Sequence, residues 1–356
     1  MKAALDNLKK LTALDGVSGE EKPVRDYIVS KIKDYVDDYY VDNLGNLITY
    51  KKGTGNGPKV MLDAHMDEVG LLITLINQDG LLKFRTIGGI EARVLAGKRV
   101  RIGKDQVPGV IGFKPLHLQS SKEREGTVDK KQLTIDIGAK DKEQAEKMVE
   151  IGDLAAFDYE PVEFGDNKLM AKALDNRVGC AALIELLKHK YESDIYGCFT
   201  VQEEIGLKGA KTSTFQVEPD IAFVLEGTTC YDVPDTKEYG ISTVCGDGPA
   251  LTIMDRSVIA DKDLLKHITE TAKLNGIPYQ FKKTISGGTN AGRIQAGGTG
   301  VKVAIIALPC RYIHSPVSVM DINDFENMIK LAKKVLETLP TSITLYREQG
   351  GGKVNV

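Results

Sequence analysis

Asn176-Arg177-Val178-Gly179-Cys180-Ala181-Ala182-Leu183-Ile184-Glu185-Leu186-Leu187-Lys188 reads as an apolar helix, and Tyr196-Gly197-Cys198-Phe199-Thr200-Val201-Gln202 after it reads as a strand. The same alternation continues downstream. Strand patterns run over 220–225 and 301–308, and helical patterns over 262–274 and 321–339. Upstream, Leu5, Leu8, Leu11 and Leu14 keep helical spacing, and Val24, Tyr27, Ile28 and Ile32 continue one apolar face. Ser18-Gly19-Glu20-Glu21 has the form of a capping box between them. Strand patterns follow at 41–50 and 59–63. Helices alternating with buried strands predict an α/β fold: an open mixed sheet with helices on both faces.

Between about 70 and 164 the texture changes. Short β-prone runs at 71–76, 81–86, 99–102, 109–113, 132–137 and 154–157 are punctuated by Gly and Asp. One helix, over 141–149, interrupts them. The economical reading is a catalytic domain over 1–69 and 165–356, interrupted by an inserted β-barrel-like domain over 70–164.

Composition narrows the function classes. The 356 residues carry 47 Lys+Arg and 50 Asp+Glu, a net charge of −3. This balance argues against a general nucleic-acid binder, which needs a basic face. No uncharged run approaches the ~20 apolar residues of a membrane span. Charges occupy the N-terminal stretch where a signal peptide needs an apolar core. The five scattered cysteines contain no CxxC, so they form neither a disulfide framework nor a thiolate zinc site. The expectation is a cytoplasmic protein.

Five short segments carry the chemistry. His65 and Asp67 follow the strand pattern ending near Asp63. Asp67 is placed to accept the free ring N–H of His65, as carboxylates do for metal-bound histidines. Glu203-Glu204 follow the strand pattern before Gln202. Adjacent carboxylates there are costly to half-bury unless a cation lies nearby. Asp175 opens the helix quoted above, Glu226 ends the strand pattern 220–225, and His314 follows the last one. Taken singly, Asp175 reads as readily as an N-cap and Glu203-Glu204 as a solvated acidic loop. Taken together, two imidazoles and several carboxylates at the strand ends of one α/β domain suit two divalent ions about 3.5 Å apart, bridged by one carboxylate. Zn²⁺, Co²⁺ or Mn²⁺ fits these ligands. Ser286-Gly287-Gly288-Thr289-Asn290-Ala291-Gly292 lacks the residues of a phosphate loop, and its glycines suit close approach of backbone to substrate or to a neighbouring subunit.

The order H-x-D at 65–67, A-L-D-N-R-x-G at 173–179, Q-E-E-I-G-x-x-G-A at 202–210 and R-Y-I-H-S-P at 311–316 resembles the co-catalytic dinuclear metallo-aminopeptidases that assemble into tetrahedral dodecamers, in particular the bacterial glutamyl aminopeptidases. The resemblance spans nearly the whole chain. It implies two divalent ions per subunit, peptide substrates and a homo-oligomer, a dodecamer, assembled through the insert. It implies that His65 ligates one metal, Asp175 bridges, Glu204 and His314 hold the other, Glu203 is the general base and Asp67 supports His65. Glu226 stands where many relatives carry Asp, and its longer arm still reaches a metal.

For specificity, the glutamyl branch is suggested by the context Glu226-Gly227-Thr228-Thr229 and by Asp255-Arg256. An acidic N-terminal side chain needs a cationic or donor-rich pocket, for which Arg256, Thr228 and Thr229 are the candidates. The alternatives are a related dinuclear metallohydrolase (a broad or aliphatic-specific aminopeptidase, or a deacylase) and a non-catalytic metal-binding assembly protein.

Overall fold

Four parallel strands form the middle of the large sheet in a computed structural model that describes residues 2–339. In spatial order they are Ile195–Thr200, Val60–His65, Ile221–Cys230 and Lys302–Arg311. Their sequences are almost wholly apolar because both faces are covered. Val60, Leu62 and Ala64 face one core, with the helices Lys2–Ala13, Lys22–Ile32, Leu174–Leu186, Lys262–Leu274 and Ile322–Glu337. Met61 faces the other, with Lys208–Val217 and Asn290–Gln295. Antiparallel strands flank the parallel centre, including Leu47–Lys51 on one side and Ser318–Asp321 on the other. The mixed sheet with helices on both faces is therefore present as expected from the pattern. Residues 1 and 340–356, assigned above to the ends of the catalytic domain, lie outside the described residues.

The second unit is a closed six-stranded barrel, in the order Gly70–Ile76, Leu82–Ile87, Thr134–Asp136, Val107–Gly112, Arg99–Ile102 and Leu154–Phe157. It has its own core, including Leu71, Ile73, Leu82, Val100, Ile111 and Ile135. The barrel closes at Phe157. The next strand, Val162–Phe164, pairs with Lys168–Ala171 in the large sheet, a few residues earlier than the boundary read at 164. No helix among the described residues is long and apolar enough to cross a membrane.

Two local expectations differ. The capping box at Ser18–Glu21 does not close on the helix Lys22–Ile32. Glu21 takes the N-cap position without a side-chain cap, and Pro23 opens the helix. The two side chains turn instead towards the sheet, where Ser18 bonds to Asp67 and Glu21 accepts Gln202 N–H at 3.2 Å. In the strand Ile221–Cys230, pairing runs on past Leu225, so Glu226 sits within the strand and not at its end.

Candidate metal centre

The carboxyl ends of the parallel strands open into one crevice, where ligands of such sheets bind. His65 is the last residue of its strand. The register Val224↔Asp63, continued two residues, sets Glu226 level with it. Glu203 and Glu204 follow Ile195–Thr200, and His314 follows Lys302–Arg311. Asp175 enters from the side, at the start of the helix Leu174–Leu186. The capping reading of Asp175 does not hold. Asn176 Oδ1 accepts Gly179 N–H at 3.0 Å and does the capping, which leaves the Asp175 carboxylate free to face the histidines.

The two oxygens of Asp175 point to different partners. Oδ1 lies 3.2 Å from His65 Nε2 and Oδ2 lies 3.4 Å from His314 Nε2. Around each histidine a second carboxylate closes in. Glu226 Oε1 is 3.5 Å from His65 Nε2, and Glu204 Oε1 is 3.4 Å from His314 Nε2. The groups His65–Asp175–Glu226 and Asp175–Glu204–His314 each bring donor atoms within 4.8 Å of one another. Glu203 Oε2 stands 4.0 Å from His65 Nε2.

Both rings are fixed from behind. His65 Nδ1 lies 3.1 Å from the Asp67 carbonyl and 3.3 Å from its Oδ1. His314 Nδ1 lies 3.2 Å from the carbonyl of Gly89, in the barrel. Each contact makes Nδ1–H the donor and leaves the Nε2 lone pair for a ligand. Asp67 does more than expected of it. Its Oδ1 accepts Glu203 N–H at 3.0 Å, and its Oδ2 accepts Glu204 N–H at 3.1 Å and the Ser18 hydroxyl at 2.6 Å. One buried carboxylate therefore positions a histidine and both glutamates. Several residues on the ligand loops adopt left-handed backbone: Ala173, Gln202, Tyr312 and His314 have φ of 52°, 55°, 62° and 57°. Such conformations cost roughly 1–3 kcal/mol each and persist where surrounding contacts impose them.

A second layer lies under the ligand loops. Glu68, Lys172 and Arg177 are buried together. Lys172 Nζ donates to Glu68 Oε1 at 2.6 Å and Oε2 at 2.8 Å, and Arg177 donates to Glu68 Oε1 at 3.2 Å. Arg177 also holds the Met66 carbonyl, and Lys172 the Leu14 carbonyl. The loop carrying His65 and Asp67 is thereby tied to the loop carrying Asp175. Arg177 sits inside the motif at 173–179, and Glu68 and Lys172 directly flank the motifs at 65–67 and 173–179, beside the ligands. That adjacency to the ligands is the signal the sequence offers for them.

Electrostatics point the same way. Burial pushes Glu203 well above the usual carboxylate range, against the pull of His65 and with the push of Glu226, Glu204 and Asp175. Burial likewise takes Glu204 to about 8 and Glu226 to about 7. Burial disfavours the charged form of His314, but the bond to Asp175 and the charge of Glu204 outweigh it and carry the ring to about 10. Asp175 is held well below its ordinary value, burial notwithstanding, by the two histidines. Without a cation, the cluster keeps protons that metal ligands must shed. Glu226 Oε2 is buried with no hydrogen-bond partner, a vacant acceptor beside His65. Two imidazoles, three carboxylates and an orphaned carboxylate oxygen fit two divalent ions of the Zn²⁺, Co²⁺ or Mn²⁺ type.

A cavity of about 480 Å³ opens over this cluster. Asp175, Glu203, Glu226 and His314 lie at its floor, and Thr228, Thr229, Lys282 and Ser286–Thr289 line its walls. Thr228 and Thr229 both line the cleft. Arg256 does not line it. Its side chain is exposed, and its backbone N–H donates to Gly287 O at 2.9 Å. Lys282, and not Arg256, is the cation that lines the cleft.

The chain is similar to known proteins over nearly its whole length. Residues 45–331 match the family described as M42 glutamyl aminopeptidase. A putative aminopeptidase of Acetivibrio thermocellus is 42% identical over 92% of this chain and 96% of its own. The lysyl aminopeptidase of Pyrococcus furiosus is 35% identical over 93% and 96%. The glutamyl aminopeptidase of Lactococcus lactis is 32% identical over 94% and 96%. Among solved structures, aminopeptidase APDkam598 of Desulfurococcus kamchatkensis superposes with TM-score 0.92 at 38% identity, covering 99% of both chains. The TET1 peptidase of Pyrococcus horikoshii, described as assembling into a tetrahedron or a large octahedral shell, superposes with TM-score 0.84 at 36% identity, over 94% of this chain and 100% of its own.

Proposed function

The chain belongs to the M42 glutamyl aminopeptidase family and is an aminopeptidase, and from that premise we propose that it uses two divalent metals, with Glu203 as general base, to release N-terminal residues from peptides, Glu and Asp preferentially. One observation carries the two-metal reading: the oxygens of Asp175 divide between His65, at 3.2 Å, and His314, at 3.4 Å. His65, Asp175 and Glu226 would hold one ion, and Asp175, Glu204 and His314 the other. Divalent ions in such a pair supply Lewis acidity toward a carbonyl oxygen and lower the pKa of water towards neutrality.

The protein's own groups do the rest. Glu203 accepts a proton from the attacking water and returns it to the departing amine. Burial and the neighbouring carboxylates raise its proton affinity, which suits a group that must both take and give. Asp67 fixes the backbone of Glu203, so the base is held by its main chain as well as by packing. The cleft floor is crowded with carboxylates, which complements the free α-ammonium of a peptide and favours exopeptidase action.

Family membership leaves the preferred side chain open, since relatives include a lysyl as well as a glutamyl aminopeptidase. The acidic preference rests on the family description and on the cationic and hydroxyl groups of the cleft. We place the enzyme in the cytoplasm, where five buried, unpaired thiols are stable. We further propose a homo-oligomeric shell, a dodecamer, on the strength of the P. horikoshii relative and of the related PhTET1-12s structure described as a dodecamer, with the barrel contributing to assembly. Sedimentation of a 38.8 kDa monomer at micromolar concentration would refute the shell. The activity is tested with Glu, Asp, Leu and Lys p-nitroanilides after chelation and reloading with Zn²⁺ or Co²⁺. The proposal expects release lost on chelation, regained with metal and fastest for Glu or Asp. Release that ignores chelation contradicts the metal reading, and fastest release of Leu or Lys contradicts the acidic one.

A further inference from the structure

Lys282 is the only lysine or arginine lining the metal-side cleft among the described residues, against Glu91, Asp175, Glu203 and Glu226. It follows the short strand Gln280–Phe281 and is half-buried. Its Nζ donates to Ser286 O at 2.9 Å, which uses one of three donors. The carboxylates nearest in its electrostatic surroundings are already engaged. Asp255 accepts from Ser257 N, Ser257 Oγ, Val258 N and Thr289 Oγ1. Glu226 and Asp175 belong to the metal-ligand set. Burial lowers the proton affinity of Lys282, while Asp255, Glu226 and Asp175 act to keep it charged. A half-buried ammonium without a carboxylate partner is costly, and a ligand anion removes that cost.

We propose that Lys282 is a specificity-determining residue that binds a carboxylate of the peptide substrate. The assignment rests on the aminopeptidase reading above and supplies the residue that its acidic preference requires. Two sources present that chemistry: the side chain of an N-terminal Glu or Asp, and the C-terminal carboxylate of a dipeptide. The position of Lys282 in the same cavity as the ligands Asp175, Glu226 and His314 makes either compatible with cleavage of the first peptide bond.

Two substrate pairs separate the sources. Glu-p-nitroanilide against Leu-p-nitroanilide differs in the side-chain carboxylate, and Leu-Gly against Leu-Gly-amide differs in the C-terminal one. In Lys282→Met, kcat/KM for the carboxylate-bearing member should fall roughly 10- to 100-fold relative to its partner, mainly through KM, as expected for a charge-assisted hydrogen bond. Lys282→Arg should restore much of the discrimination, and Lys282→Glu should turn it towards Lys-p-nitroanilide. Lys283→Met, an exposed neighbour, is the control and should leave both ratios unchanged. Loss confined to the first pair assigns the side chain, and loss confined to the second assigns the C-terminus. Because each readout is a ratio within one protein preparation, partial misfolding cancels. A wild type that prefers Leu to Glu refutes the acidic preference alone, and Lys282 then stands or falls on the dipeptide pair. Both ratios unmoved in Lys282→Met overturn the assignment.

Discussion

The two halves of the metal centre are built differently. The His65 half belongs to the sheet: His65 ends a central strand, Glu226 lies within its neighbour, and their side chains are only 2% and 4% exposed. The His314 half is assembled from loops. Glu204 and His314 both follow strands, His314 has left-handed backbone and 37% exposure, and its ring is steadied by a carbonyl of the barrel. Asp175 is common to both. Glu204 is as buried as Glu226, at 4% exposed, so His314 is the open member of the pair, and an ion on its side is expected to exchange faster than one on the His65 side. The barrel, far away in sequence, helps to build the His314 half.

The largest test of this contrast is Asp175→Ala, which should remove both ions and turnover with them. A variant retaining two ions by elemental analysis would show that the carboxylate does not bridge. Glu203→Gln, by contrast, should keep both ions and lose about 10²–10⁴-fold in kcat, the usual worth of general-base catalysis. Unchanged kcat at full metal content would remove Glu203 from that role. Metal uptake should depend on pH with a defined sign. Burial pushes Glu226 and Glu204 up, to about 7 and about 8, and Asp175 and Glu204 outweigh burial to push His314 up to about 10. Ligation requires their unprotonated forms, so binding expels protons and affinity rises with pH between about 6 and 9, by roughly tenfold per pH unit for each proton released. Calorimetry in buffers of different ionisation enthalpy reads that proton count, and an affinity flat over this range would contradict the picture. The smallest effect is expected at the barrel contact. A Cβ at Gly89 would lie 3.3 Å from His314 Nδ1. Gly89→Ala should weaken the His314-side ion by up to about tenfold and leave the His65-side ion in place, in line with the influence of groups behind a ligand. Equal weakening of both ions would erase the distinction between the halves.

Much of this was legible in the chain. His65, Glu203, Glu204 and His314 stand out because ionisable residues at the ends of apolar strands are unusual, and a parallel sheet gathers its strand ends at one edge, while Asp175 stands out at the start of an apolar helix. The parallel core and the closed barrel follow from hydrophobic runs of different length and punctuation. What escaped depends on contacts distant in sequence. Nothing around Gly89 marks it as a partner of His314. Ser18 and Glu21 have the spacing of a capping box, yet their side chains serve Asp67 and Gln202, because a buried catalytic loop offers them better partners than a helix end that water can satisfy. Lys282 carries no motif and enters the cleft only through the turn after Gln280–Phe281. Arg256 is equally cationic, but local spacing does not tell which side of a loop faces the cavity.

On this reading one chain holds two ions about a shared aspartate, one more firmly than the other. It is tested most directly by loading the protein with Co²⁺, desalting it, and following metal content by elemental analysis during timed dialysis against a chelator. Two ions per chain are expected at the start, with loss in two separate phases, the faster one absent from His314→Ala, which begins with a single ion. A wild type that takes up only one ion per chain, or loses two in a single phase that His314→Ala does not alter, would contradict it.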